Sequence, residues 1–585
     1  MSTSVAAEAA PPSSQRGVIF AISGLIIGMF AAIASSTIIS PALPRIVADL
    51  GGSEDILTWA ITASLLTSSI ATPIWGKLSD LLNSKLLVQL GLGFFVTGSV
   101  LAGFANDPSW LIVGRAIQGM GVGAMNTLVM VIIAGIVSPR ERGKYMGIIS
   151  GIMGVAQVGG PLLGGVITDG IGWQWTFWLF APLVVIAIIV IQLTLRLPKR
   201  PPRPVKIDLL GAALIAIGVA TLTLWITFAG DKYDWWSWQT AAMLGGVIAA
   251  FGLFVLNEFK AAEPIIPMRL FMNRTFTLAV VGSIGLGVAM FGASVFLSQY
   301  MQYARGATPT QAGLMTLPMV VGQLIGGMLI GNLISRIGKW KRFVVSGTAI
   351  FVAGLALMGT VSYNTSFVLV SVYMLMLGLG IGSVMQNLVM VVQNSVEAKN
   401  LGAASAGVTF FRSLGGAVGV TALGAVLGAR VPHLIETNLK KVDLSQLSPT
   451  QLQTTKEQLT SGGFPDLDKL PDVIRIAIES AYGSGTAEIF LCAVPLGILA
   501  LLAVIFLPNR SLSRQTASEQ LAKESQKAVV DLAEAITSND SSEATTAELV
   551  LEGATSGISQ GGQSSTDAKA RTAVDEGAGG AEASR

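Results

Sequence analysis

Leu111 to Gly165 reads LIVGRAIQGMGVGAMNTLVMVIIAGIVSPRERGKYMGIISGIMGVAQVGGPLLGG. Two long apolar segments flank a short basic loop, Ser138 to Lys144. A hydrocarbon core ~30 Å thick takes about 20 apolar residues to cross, and each segment is that long. The first carries Arg115. A charge near a bilayer centre costs at least about 3 kcal/mol, so such a residue normally faces the bundle interior or a wet cavity. Arg115 lies only about five residues into its segment, so snorkelling to the near interface is the alternative. Gln118 one turn on, and then Gly119, Gly121 and Gly123, favour the interior, because small residues let helices approach closely. Packing alone is the plainer reading of those glycines. The second segment ends in Gly159-Gly160-Pro161-Leu162-Leu163-Gly164-Gly165. Proline removes a helix donor and crowds the preceding turn, which favours a kink, either packed and static or a point of bending.

The remainder of the chain has the same character. Of 585 residues, 52% are hydrophobic and 12% charged, with a mean hydropathy of +0.66. Soluble domains carry roughly 25% charged residues, so the composition describes a polytopic membrane protein. The net charge of +3 says little about partners. The single cysteine, Cys492, excludes an internal disulfide or thiolate cluster, and the single histidine, His433, argues against histidine metal sites and proton relays. No cofactor and no nucleic-acid partner are expected, and the chain has no G-x-x-x-x-G-K-[ST] phosphate loop, so ATP drive is not expected either.

The spacing of apolar runs predicts fourteen spans. Residues 1–16 read as a disordered N-terminus, 17–196 as a first six-helix half, and 197–274 as two inserted helices with basic linkers. Residues 275–507 read as a second six-helix half containing a long outer loop at 430–486, and 508–585 as a disordered tail. Lys77 and Lys85, Arg140, Arg142 and Lys144, Lys199, Arg200, Arg203 and Lys206, Lys260, Arg269 and Arg274, and Arg336, Lys339, Lys341 and Arg342 fall in loops on one side; short loops on the other hold Arg45, Lys232 and Arg305. The long loop 430–486 is mixed in charge, with Arg430, Lys440, Lys441, Lys456, Lys469 and Arg475, and long loops weigh less in this rule. Basic loops stay inside, which places both termini in the cytoplasm. The loop GDKYDWWSW at 230–238 reads as an interfacial aromatic anchor, with substrate capture as its alternative.

An internal repeat supports two halves. GMGVGAMNTLVMV at Gly119–Val131 resembles GLGIGSVMQNLVMV at Gly378–Val391; Gly159-Gly160 is matched by Gly415-Gly416, and Gly76-x-Leu78 by Gly331-x-Leu333. The copies lie about 255–260 residues apart in the same predicted orientation, a parallel repeat. It is imperfect: Arg115 aligns with Met374, Pro161 with Ala417, and Arg412 with Ala156.

These residues carry a family resemblance. Arg115, Gln118, Gly119, Gly121 and Gly123 are similar to the fourth-span motif of the major facilitator superfamily. Gly160, Pro161, Gly164 and Gly165, with Gly159 beside them, resemble the fifth-span motif of its fourteen-span drug–proton antiporters, with Ala156 where glycine is usual. The loop Gly76-Lys77-Leu78-Ser79-Asp80-Leu81-Leu82-Asn83-Ser84-Lys85 is similar to the superfamily's loop motif and departs from it at Leu81, Asn83 and Ser84. The resemblance implies an all-α polytopic fold of 14 transmembrane helices, two six-helix halves plus two inserted helices, and a loop that latches the halves outward-open. It also implies proton coupling at Arg115 and Asp80. The family's first-span aspartate is Ser35 here, which leaves that proton carrier missing.

Asp80 is suited to accept from a helix N-terminus or to pair with a cation. Arginine does not release a proton usefully, so Arg115 serves only to polarise water or tune a neighbour, and Asp80 or the substrate remains to carry the proton. The expected cavity walls carry amides: Gln118, Asn126, Gln157, Gln299, Gln302, Gln323, Gln386 and Asn387. With Met290, Phe291, Phe296 and Met385 they suit amphipathic small molecules, although each amide has helix–helix bonding as an alternative use. The reading is a monomeric, proton-driven exporter of lipophilic drugs or toxic compounds across the plasma membrane. A dedicated exporter of one metabolite, lipid, siderophore or antibiotic is the alternative, and a membrane enzyme, sensor or scaffold a remote one.

Overall fold

The computed structural model describes residues 15–50, 54–195, 197, 206–230, 232–440, 470–509 and 511–513. The first fourteen residues, the linker at 198–205, the loop at 441–469 and the tail from 514 onward lie outside the described residues, as do the side-chain surroundings of Pro161 and Gly165. Among the described residues there is no strand, only one isolated bridge between Ala229 and Tyr233.

The helices are α1 Gln15–Asp49, α2 Glu54–Leu81, α3 Ser84–Gly103, α4 Pro108–Ile136, α5 Pro139–Gly170, α6 Trp175–Trp178, α7 Phe180–Thr194, α8 Leu209–Phe228, α9 Trp238–Glu258, α10 Arg274–Gln299, α11 Pro309–Met315, α12 Leu317–Ile337, α13 Lys341–Met358, α14 Phe367–Gln393, α15 Leu401–Leu439 and α16 Asp472–Ile505. Counting α6 with α7 and α11 with α12, 12 helical segments among the described residues are long and apolar enough to cross a membrane. Two further long helices, α2 of 28 residues and α5 of 32 residues, are less apolar. Their sequences are diluted by serine, threonine and glycine.

The repeat seen in the sequence is a repeat of packing. In α4, a side chain at Gly121 would run into Gly91 and Phe95 of α3, while Gly119 and Gly123 lie against Ser64 and Ser68 of α2. In α14, Gly380 lies against Phe351 of α13, while Gly378 and Gly382 lie against Met319 and Gln323 of α12. Each half thus wedges one glycine-faced helix between two neighbours, the close approach that small residues permit. One apolar core runs through both halves. The inserted pair α8–α9 adds a satellite cluster in which Ile215, Val219, Phe254, Ile265 and Ile266 pack with Phe410 of α15, and Leu66 and Ile70 of α2 lie against it. The outward faces of this pair show Leu209 and Ile248, each more than 70% exposed, as lipid-facing helices do.

Three expectations need correction. The predicted outer loop 430–486 is helical at both ends, because α15 runs on to Leu439 and α16 begins at Asp472. Arg430 pairs with Glu488 at 2.6 Å and Asn438 Nδ2 donates to the Ala477 carbonyl at 3.1 Å, so the two extensions support each other. His433 consequently sits on an exposed helix face rather than in a loop. Finally, the tail does not leave the protein at residue 508. Leu507 and Leu512 are buried, and Ser511 and Ser513 are bonded to Asn394 at the end of α14.

Candidate functional site

The basic-loop end is closed by two helix crossings that exchange roles between the halves. In the first, the end of α2 meets the start of α15. A side chain at Gly76 would collide with Ala406 and the Gly402 carbonyl. Four residues on, Asp80 Oδ1 accepts from the Gly402 N–H at 2.7 Å and Oδ2 from the Ala403 N–H at 2.8 Å. The carboxylate thus caps the positive end of a 39-residue helix in the other half. In the second crossing, Gly331 of α12 packs on Gly143 of α5 and Gly147 on Gly327. Arg140 completes it, donating to the Ser335 carbonyl at 3.2 Å and the Arg336 carbonyl at 2.9 Å, the last carbonyls of α12. One crossing is capped by an acid at a helix N-terminus, the other by a base at a helix C-terminus.

The stretch expected to be a loop, Gly76 to Lys85, is instead mostly helical, with Gly76, Lys77 and Asp80 in the last turns of α2 and Lys85 in the first turn of α3, and its remaining side chains divide. Lys77, only 9% exposed, pairs with Glu263 at 2.6 Å. Glu263 sits in the linker after α9, and that linker is held by Glu258, whose carboxylate accepts from the N–H groups of Ile265 and Ile266 at 3.2 and 3.1 Å. Lys85 points elsewhere, donating to the Gln192 carbonyl of α7 at 2.8 Å within its own half. A third tie between halves uses Arg142, which is buried. It donates to the Val137 and Ala134 carbonyls at 2.8 and 2.5 Å and to Gln393 of α14 at 3.4 Å, while Gln393 donates to Ser405 of α15 at 2.8 Å. Arg140 N–H also donates to the Ser513 carbonyl at 3.2 Å, so the start of the tail straps the same end. Glu263, Gln393 and the 511–513 strap carry no local sequence signal, since their meaning lies in distant partners.

Arg115 is inside the protein, 4% exposed, rather than at an interface. Its Nε donates to the Ala60 carbonyl at 3.2 Å, and Nη1 donates to Gln118 Oε1. Gln118 Nε2 then donates to Ser35 Oγ at 3.0 Å and Ser99 Oγ at 2.8 Å. Neutral groups from α1, α2 and α3 thus surround a fixed cation on α4, and Ser35 supplies a hydroxyl where the family carries an aspartate.

The amides do not form one wall. Gln118 is spent on this network. Gln323 and Gln386 reach across to α5, at the Ser150 carbonyl (3.3 Å) and Met153 Sδ (3.1 Å). Gln302 folds back on Ser298. Asn387 donates to the Ser383 carbonyl at 2.8 Å and leaves its Oδ1 without a partner. Asn126, Gln157 and Gln299 are half-buried. Met290, Phe296 and Met385 belong to the core, while Phe291 is 39% exposed. In the antiporter motif, a side chain at Gly160 would strike Thr37 of α1, whose hydroxyl donates to the Ala156 carbonyl at 2.9 Å. Gly164 is buried and Gly159 has open space around it. The helix is unbroken from Pro139 to Gly170.

The Major Facilitator Superfamily profile matches residues 25–420. The chain is 37% identical over 418 residues to the multidrug transporter protein MdtP of Bacillus subtilis (strain 168), which covers 72% of this chain and 77% of that protein. It is 31% identical over 499 residues to multidrug resistance protein 3 of the same organism, covering 85% of this chain and 96% of that one. In shape it is similar to the solved proton:xylose symporter XylE bound to 6-bromo-6-deoxy-D-glucose, with a TM-score of 0.54 at 14% identity, covering 87% of this chain and 99% of that one. That likeness concerns the fold alone.

Proposed function

The chain belongs to the Major Facilitator Superfamily, a family of membrane transporters and not of enzymes, and we propose that it is a secondary exporter that moves amphipathic compounds, drugs among them, out across the plasma membrane in exchange for protons. Two relatives are named for multidrug transport or resistance, which supports the substrate range. In this reading α2 and α5 cross the membrane as well, giving fourteen spans with both termini and the basic loops inside. The two halves rock about a central site. The reading rests on one observation above others: the paired crossings α2–α15 and α5–α12 close a single end, each capped across the halves. Such contacts must break for that end to open, which is what alternating access requires.

Asp80 is then a gate residue, holding α15 while the inner end is shut. Arg115 is the fixed charge of the coupling site, and the half-buried amides Asn126, Gln157 and Gln299 are left to the substrate. The test is dye and drug accumulation in efflux-deficient cells expressing wild type, Asp80→Asn or Arg115→Ala, with and without a protonophore. Lower accumulation with wild type, lost on protonophore addition and in both variants at equal expression, is the expected result. Accumulation that ignores the protonophore would overturn proton exchange.

A further inference from the structure

The structure assigns Arg412 as the recognition point for an acidic headgroup on an amphipathic substrate, an inference that rests on the export reading above and narrows its substrate class. Arg412 lies ten residues beyond Gly402 in α15, about 15 Å along the helix axis and so near the middle of a ~30 Å hydrocarbon core. It is 5% exposed. Among the described residues its guanidinium makes one hydrogen bond, Nη1 to the Met385 carbonyl of α14 at 3.0 Å, and pairs with no carboxylate. A guanidinium has five N–H donors and keeps its charge inside a protein. A charge buried at this depth without a counter-ion is costly and marks a substrate or ion pathway.

The surroundings favour a ligand over packing. Next along α14, Gln386 touches Met153 of α5 at 3.1 Å, so the α14 segment that Arg412 bonds borders the seam between the halves, where substrate binds in an alternating-access protein. The Arg412 carbonyl abuts Gly287 of α10, and one turn before Gly287 the buried Ser283 hydroxyl has no hydrogen-bond partner. On α14, the buried Asn387 Oδ1 also has none. The free guanidinium donors suit an acidic headgroup, and Ser283 on α10 and Asn387 on α14 are unpartnered polar groups on the two helices that Arg412 touches. Arg115 has a side-chain acceptor that Arg412 lacks, Gln118 Oε1, beside the Ala60 carbonyl.

The experiment uses the full chain in phosphatidylcholine nanodiscs at neutral pH and two probes that differ only in charge, an NBD-labelled dodecanoate and its methyl ester, read by fluorescence anisotropy. The acid is expected to bind about tenfold more tightly than the ester, as a charge-assisted hydrogen bond allows. Arg412→Gln should remove that preference while leaving ester binding as in wild type, and Arg412→Lys should restore part of it. Unchanged ester binding shows that the variant is folded. Equal binding of acid and ester by wild type, or equal weakening of both by Arg412→Gln, overturns the assignment. Displacement of the acid by phosphatidylglycerol placed in the disc would give the site to a bilayer lipid and overturn it as well. Binding is read without transport, so acid preference without proton-driven efflux would sink the export reading and leave the site standing.

Discussion

Lys77 Nζ lies 2.6 Å from Glu263 Oε2, joining the end of α2 to the linker that follows the inserted helices. The lysine stem is nearly buried while Glu263 is 42% exposed. Together with the apolar cluster of Ile265, Ile266, Phe254 and Phe410, the pair ties α8–α9 to the α2–α15 crossing.

Glu263→Gln should therefore loosen the end that carries the α2–α15 crossing. A half-exposed pair is worth about 1 kcal/mol, a shift of about fivefold in the open population. Spin labels at Glu141→Cys and Lys399→Cys in a Cys492→Ser background read it as a wider distance by double electron–electron resonance. Exchanging the charges, Lys77→Glu with Glu263→Lys, should restore the narrow distance. A distribution identical to wild type in Glu263→Gln would show that the pair does not hold the gate.

Asp80→Ala removes a carboxylate that satisfies two backbone N–H groups of α15. Loss of such a cap costs about 1–2 kcal/mol, and because donor and acceptor lie in different halves the loss should fall on the gate rather than on either half. The same labels should report a wider distance at that end, while the melting temperature in detergent changes little.

Glycines at the crossings should be intolerant in matched fashion. Gly76→Ala and Gly331→Ala both place a methyl group into backbone or side-chain atoms of the opposing helix, so both should impair efflux with expression retained. Gly160→Ala should behave likewise against Thr37, whereas Gly159→Ala meets open space and should transport as wild type. Equal loss at Gly159 and Gly160 would contradict the packing.

Gln118→Leu should destabilise more than Ser99→Ala. Leucine removes the side-chain acceptor of a buried guanidinium and strands the Ser35 and Ser99 hydroxyls together, a cost of about 1–3 kcal/mol. Serine to alanine removes one acceptor of one amide. Thermal melting of the two variants in detergent gives the order directly.

The all-helical membrane fold and the internal repeat were legible because they are local and periodic properties. Apolar length marks a span, and the repeated glycines of Gly119–Gly123 and Gly378–Gly382 mark a face that packs closely wherever it lies. Arg115 was also legible as an interior charge, since nothing apolar explains it. The amides were not separable: Gln118, Gln323 and Gln386 are spent on protein partners while Asn126, Gln157 and Gln299 are not, and a glutamine reads the same in either use.

The amino-acid sequence by itself determined that the chain is built of long apolar helices, that stretches of it repeat, and which few charges sit in them. Tertiary structure alone decided whom those charges meet. Asp80 finds the N-terminus of a helix in the opposite half, Lys77 finds Glu263 in the linker after α9, and Arg412 finds a single carbonyl. Hydropathy is a property of each segment, set by its own side chains against lipid. Partnership depends on which segments the packing of glycine-faced helices brings together, and that is settled only when the whole bundle closes.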